Sequence, residues 1–309
     1  MNYRHAFHAG NFADVAKHLG LICVLERLAA KAKPFSYFET HAGRGRYNID
    51  GTEARRSGEA EQGIRRLATG PNVSGVIDRY LDLVRSFQPA PGTLSIYPGS
   101  PLIARSLLRE GDRAQLCELQ PEELRMLRQN IGDDRRFGIH QRDGYEALGA
   151  LLPPTPRRGM VLIDPPYEQE DELQRLVPAL EAATRKWPTG IFMVWYPIKH
   201  RRDLRAFYRQ LSSGGFGSVL LAELTIRPDD SRARLNGSGL AFIRPPWQLD
   251  RLLASTWAEL ARRLGDEGAK IDVRWLSRST PAAAKPDESG PRSGRPSRAP
   301  ASRPVRSRR

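Results

Sequence analysis

Cysteine is nearly absent: Cys23 and Cys117 are the only two in 309 residues. Both sit in apolar stretches, which leaves no disulfide framework and points to buried free thiols in a reducing, cytoplasmic setting. Long hydrophobic runs are missing as well. No window approaches the roughly 18 uninterrupted apolar residues that a spanning helix requires, so no membrane association is expected. The N-terminal Met1-Asn2-Tyr3-Arg4-His5 leads into no extended apolar stretch, which points to a protein that is not exported. Acidic residues are outnumbered, 35 against 49 Lys and Arg. The resulting net charge of +14 favours a polyanionic partner through counterion release and long-range steering.

The charge is unevenly spread. From Pro281 the chain turns Pro/Ser/Arg/Ala-rich, with Lys285 and seven arginines against Asp287 and Glu288, a net of +6. That segment has no apolar periodicity with which to offset its ordering entropy, so residues 280–309 are expected to form a disordered basic tail. The remaining +8 belongs to the folded part, so nucleic acid is the expected partner even without the tail.

Upstream, short β-type runs alternate with helical patterns: Phe35–Glu39, Ala114–Glu118, Phe137–Gln141, Met160–Ile163, Ile191–Trp195, Ser218–Ile226 and Gly239–Ile243. This is the pattern of an α/β fold with a mostly parallel sheet and crossover helices. Asn11 can cap a first helix whose apolar stripe is Val15, Leu19, Ile22 and Leu25, and Pro121-Glu122-Glu123 opens another. Between Glu39 and Ala114 lies far more chain than one crossover helix needs. Two helical stretches, 53–68 and 74–87, predict an inserted helical subdomain at 50–93, which leaves 1–49 and 94–279 as the core.

The chemistry-bearing residues fall at the ends of the predicted strands, where open α/β sheets bind ligands. Met160-Val-Leu-Ile runs into Asp164-Pro165-Pro166-Tyr167. Two prolines fix the backbone and remove two donors, so the Asp164 carboxylate and the Pro165 carbonyl are rigid acceptors, suited to the two hydrogens of an exocyclic amine. Tyr167 offers a flat face to an extruded base, with Trp195-Tyr196-Pro197 as an aromatic edge opposite. Phe35–Glu39 enters the glycine-containing turn Thr40-His41-Ala42-Gly43-Arg44-Gly45, which departs from the G-x-G-x-x-G of nicotinamide cofactors. Glu118 closes the second strand, where a carboxylate can take both ribose hydroxyls of a nucleoside cofactor. Asp143-Gly144 closes the third and is placed to meet an adenine ring.

Four of six histidines, His5, His8, His18 and His41, fall in the first 41 residues. No carboxylate or cysteine cluster completes a ligand set, so no metal is expected. Lys17 and His18 are read instead as holding the carboxylate of an amino-acid-like cofactor.

These residues resemble a known family. Tyr3–Asn11, Ala13-Asp14-Val15, Lys17-His18, Thr40–Gly43, Tyr97-Pro98-Gly99-Ser100-Pro101, Ile163–Tyr167, Trp195-Tyr196-Pro197 and Ser238-Gly239 are similar to the bacterial 23S ribosomal RNA adenine-N6 methyltransferases of the RlmJ family. The resemblance spans residues 1 to about 279. It implies a class I S-adenosylmethionine-dependent methyltransferase fold, with a Rossmann-like seven-stranded sheet containing one antiparallel strand, and an inserted helical subdomain. It further implies that Lys17, His18, His41, Ser100, Glu118, Asp143, Gly144 and Asp164 line the S-adenosylmethionine pocket, that Tyr3 lies near the RNA, and that the protein acts on 23S ribosomal RNA as a monomer. A guanine-N2 methyltransferase of ribosomal RNA and a non-catalytic RNA-binding assembly factor remain as alternatives.

Overall fold

In the run Met160-Val161-Leu162-Ile163, side chains point alternately to two apolar layers. Met160 and Leu162 join the cluster around Leu19 and Ile22, whereas Val161 and Ile163 join one around Leu176 and Leu180. A strand buried on both faces is continuously hydrophobic, and this explains why no polar alternation appears in it. The computed structural model describes residues 4–71, 75–169, 171–228 and 235–278, and within them the sheet is sandwiched between helical layers. Tyr3 and the predicted tail lie outside the described residues.

In chain order the strands are β1 (Ser36–Glu39), β2 (Arg46–Asn48), β3 (Ile96–Pro98), β4 (Arg113–Cys117), β5 (Phe137–His140), β6 (Gly159–Ile163), β7 (Ile191–Ile198), β8 (Val219–Thr225), β9 (Gly237–Ile243) and β10 (Lys270–Ser277). The main sheet has the order β10-β8-β9-β7-β6-β1-β4-β5. Its five strands from β7 to β5 are parallel. β9 runs against β7 and β8, and β10 runs against β8. The expected seven strands with one antiparallel are therefore eight with two. The extra strand, β10, is an edge strand whose Ile271, Val273 and Trp275 alternate with Asp272 and Arg274, a half-buried pattern.

Helix α1 (Phe12–Ala29) starts where Asn11 caps it, its side chain accepting from the Asp14 N–H at 2.8 Å. It is buried nearly all round. Between β1 and β4 the chain forms α2 (Thr52–Ser57), a π-helical segment (Glu61–Arg65) continuing into α3 (Arg66–Ala68), and α4 (Val76–Ser86). The helix expected over 53–68 is broken at Gly58, which ends α2 in the left-handed region at φ +67°. β2 and β3 pair antiparallel through Tyr47 and Tyr97 and clasp the base of this segment. Ile64, Leu67, Ile77 and Leu81 are buried in the same cluster as α1, so the two share one hydrophobic core.

The remaining helices are α5 (Ser100–Leu107), α6 (Pro121–Ile131), α7 (Gly144–Leu151), α8 (Glu172–Lys186), α9 (Arg205–Ser213) and α10 (Leu249–Leu264). Strand order runs outward from β1 to β4 and β5, then returns to β6 on the other side of β1. That reversal is a topological switch point, where the loops after β1 and β6 diverge and leave a crevice. Cys23 and Cys117 are free and buried, and burial pushes both thiols up to about 12.

Candidate active site

The crevice is a cavity of about 960 Å³. Lys17 and His18 reach it from α1, His41 from the loop after β1, and Ser100 from the start of α5. Glu118 follows β4, Asp143 and Gly144 follow β5, and Asp164, Pro165 and Tyr167 follow β6; all six line the same cavity. Every expected site residue except the undescribed Tyr3 thus converges on one space.

The most tightly bonded part is a chain of charges. Lys17 Nζ donates to Asp164 Oδ2 at 2.6 Å and to Asp14 Oδ1 at 2.9 Å. Asp14 Oδ2 also accepts from the Gly10 N–H at 3.0 Å and lies 2.9 Å from His5 Nε2. Burial by itself would raise the Asp14 pKa, but the charges of His5 and Lys17 hold it well below the usual carboxylate range. Burial likewise opposes the Lys17 charge, yet Asp14 and Asp164 hold its pKa well above the ordinary value. Lys17 therefore spends two of its three N–H groups on carboxylates of the protein, leaving one for a ligand. Asp14 was not among the expected site residues; its spacing of three from Lys17 on one helix face was the available signal.

Glu118 accepts from the backbone N–H of Gly43 and of Gln120, each at 2.8 Å. It thereby ties the loop after β1 to the end of β4, and its further lone pairs remain for hydroxyl donors. Burial raises its pKa. Asp143 caps α7, accepting from the N–H groups of Tyr145 and Glu146. At Gly144 a Cβ would come within 2.4 Å of the Thr40 carbonyl, so only glycine lets α7 approach β1 this closely. His41 is held by Thr40 Oγ1 at 2.8 Å from its Nδ1, and burial lowers its pKa to about 4, leaving it neutral.

Glu39, at the end of β1, is a further group the residue pattern did not single out. It is wholly buried, accepts from the Tyr37 hydroxyl at 2.8 Å and from the Ser100 hydroxyl, and burial pushes it up to about 8. Ser100 is thus oriented by a carboxyl beneath the cavity. Tyr167 sits at φ +50°, with its ring edge-on to Trp195 at 5.4 Å and its hydroxyl donating to the Trp195 carbonyl at 2.5 Å. The Trp195 indole N–H in turn donates to Ser238 Oγ at 2.9 Å. Four cations, Arg142, Arg175, Lys199 and Arg227, also line the cavity.

A doubly wound sheet with acids at three successive strand ends and an Asp-Pro-Pro-Tyr loop beyond the switch point defines a class I methyltransferase. Residues 32–277 match the family model described as "Ribosomal RNA large subunit methyltransferase D, RlmJ". The chain is 39% identical over 277 residues to the ribosomal RNA large subunit methyltransferase J of Escherichia coli K12, covering 89% of this chain and 99% of that protein. It is 38% identical over 278 residues to the enzyme of the same name from Haemophilus influenzae, covering 90% and 99%. A crystal structure of a Legionella pneumophila protein superposes with a TM-score of 0.79 at 33% identity, over 86% of this chain and 98% of that one. The chain belongs to the RlmJ family of ribosomal RNA large subunit methyltransferases and is an S-adenosylmethionine-dependent enzyme.

The residues present fit that cofactor. The cavity is within the range of small-molecule sites, Glu118 supplies acceptors for hydroxyls, and His18 and the third N–H of Lys17 supply donors for a carboxylate. Glu118→Ala is expected to raise the dissociation constant for S-adenosylmethionine by about tenfold to hundredfold, the worth of a charged hydrogen-bond partner. Calorimetric titration checks this, and an unchanged affinity would show that Glu118 does not hold the cofactor.

Proposed function

We propose that the protein methylates the exocyclic N6 of an adenine in 23S ribosomal RNA, in the cytoplasm, with Asp164-Pro165-Pro166-Tyr167 as the catalytic loop. The observation that carries this reading is the Asp164 carboxylate, held at 2.6 Å by Lys17 beside the Tyr167 ring in the cavity. S-adenosylmethionine supplies an electrophilic methyl group; the side chains supply orientation.

The adenine amino nitrogen is a poor nucleophile because its lone pair is delocalised into the ring. Asp164 and the Pro165 carbonyl accept its two N–H groups, shift the nitrogen toward tetrahedral geometry and aim its lone pair. Positioning of this kind is worth about 7–11 kcal/mol. Lys17 fixes the Asp164 carboxylate through its 2.6 Å hydrogen bond, so the remaining acceptor positions stay aimed at the amine during transfer. Once methylated, the nitrogen becomes acidic, and Asp164 or water takes the proton. The four cations on the cavity lining favour the phosphates on either side of an extruded nucleotide.

Transfer of a radiolabelled methyl group to unmodified total ribosomal RNA, followed by nucleoside analysis, tests the reading. Label in N6-methyladenosine is expected, whereas label in N2-methylguanosine would replace adenine by guanine. Absence of transfer would favour an RNA-binding assembly factor.

Two features of Tyr167 support its part in this reading, a ring face for stacking and a hydroxyl that pins the ring to Trp195. Tyr167→Ala is expected to slow turnover on RNA by about 5- to 150-fold, the worth of one base stack. Tyr167→Phe keeps the face and loses one neutral hydrogen bond, so a loss of only about fivefold is expected. Equal damage from both changes in a steady-state assay would show that the hydroxyl matters and the face does not.

A further inference from the structure

His18 has two ring nitrogens, and among the described residues one of them is engaged. Its Nδ1 lies 2.9 Å from the Tyr97 hydroxyl, which lies 2.9 Å from the Tyr80 hydroxyl. The rings are packed together, His18 stacked on Tyr97 at 5.4 Å and edge-on to Tyr80 at 6.2 Å. Both tyrosines are wholly buried, and His18 is closed off except toward the cavity it lines.

Counting protons fixes the direction of this chain. A neutral imidazole carries one N–H and each phenol one O–H. If Nδ1 held the proton, it would donate to Tyr97, Tyr97 would donate to Tyr80, and the Tyr80 proton would have no acceptor among the described residues. Native proteins rarely leave a buried donor in that state. In the other direction Tyr80 donates to Tyr97, Tyr97 donates to Nδ1, and both phenol protons are used. The imidazole N–H must then be on Nε2. Burial, helped by the charges of Lys17 and His5 and opposed by Asp14, lowers the His18 pKa to about 3, so the ring stays neutral.

We propose that Tyr97 and Tyr80 are positioning residues that lock His18 in its Nε2–H tautomer, so that it presents a neutral N–H donor to the carboxylate end of S-adenosylmethionine. This rests on reading the cavity as the cofactor pocket. The lock also explains the division of labour on α1: the Lys17 charge is committed mainly to Asp14 and Asp164, and the adjacent His18 is freed as an uncharged donor. Tyr80 lies on α4 in the inserted segment and Tyr97 on β3 where the chain re-enters the core, so both act on the pocket through His18.

The test is nitrogen NMR on full-length protein carrying ¹⁵N-histidine, with the His18 signals assigned by their loss in His18→Gln. A protonated Nε2 and an unprotonated Nδ1 are expected in the wild type. A protonated Nδ1 would overturn the proposal whatever the activity. Tyr97→Phe should give a mixture of tautomers and weaken S-adenosylmethionine binding by about 3- to 10-fold, with the single-turnover rate at saturating cofactor within about twofold of wild type. Tyr80→Phe removes only the outer hydroxyl and should act in the same direction more weakly. Folded variants with wild-type tautomer and affinity would overturn the lock. A wild type that shows the tautomer yet binds no S-adenosylmethionine would support the lock and overturn the pocket assignment.

Discussion

Replacing Asp164 by alanine is expected to slow methyl transfer by about 10²–10³-fold in a single-turnover assay, the usual consequence of removing one pre-positioned polar group. The protein should still fold, because Lys17 keeps Asp14 as its partner at 2.9 Å and no buried charge is left uncompensated. S-adenosylmethionine affinity should change much less than the rate, since the carboxylate acts on the amine of the base. Asp164→Asn keeps an acceptor oxygen of the same reach but loses the charge that Lys17 holds, and its rate should fall between the two. A near-normal single-turnover rate for Asp164→Ala would remove the carboxylate from the reaction.

Lys17→Met should act on stability as strongly as Asp164→Ala acts on rate. The ammonium is buried between two carboxylates, of which Asp14 is 4% exposed and Asp164 is 16% exposed. Removing one member of such a group leaves charge without compensation, at a cost of about 3–5 kcal/mol. For a domain of this size that corresponds to a fall in Tm of roughly 6–20 °C. The pH dependence has a definite sign. Asp14 has a depressed folded pKa, so its stabilisation is present above the unfolded value and lost as pH falls through the folded one. The variant depresses that pKa less. The gap between wild type and variant is therefore widest near neutral pH and narrows below the ordinary aspartate value of about 3.9. Thermal denaturation at several pH values checks this, and a Tm equal to wild type at pH 7 would show that Lys17 carries no such burden.

Much of this site was legible because strand ends advertise themselves. Asp164, Glu118 and Asp143 each follow an apolar run, and the fold then brings three distant segments to one edge. What escaped were groups whose meaning depends on partners. Asp14 showed only its i,i+3 spacing to Lys17, since its contacts with His5 and the Gly10 N–H arise only when the turn before α1 folds back. Glu39 looked like any strand residue, because burial raises its pKa against the lowering hydrogen bonds from Ser100 and Tyr37, and no spacing reveals that balance. β10 has a short apolar alternation with no chemistry-bearing residue at its end, and only its pairing with β8 marks it as the edge of the sheet. Tyr167 was read for its face, while its hydroxyl found the Trp195 carbonyl across a turn that only the left-handed backbone at that residue produces.

The position of β1 bears on how the protein is made. β1 is flanked by β4 and β6, and both lie far downstream in the chain. From Glu39 to Gly159, synthesis at about 5–20 residues per second takes roughly 6–24 s. During that interval Tyr37 and Phe38, both fully buried in the finished molecule, have no completed sheet to enter. Closing loops of this length before any pairing energy is gained also makes parallel sheets slow to form. The central strand of this ribosomal RNA methyltransferase therefore emerges on its own ribosome seconds before the two strands that flank it have been made.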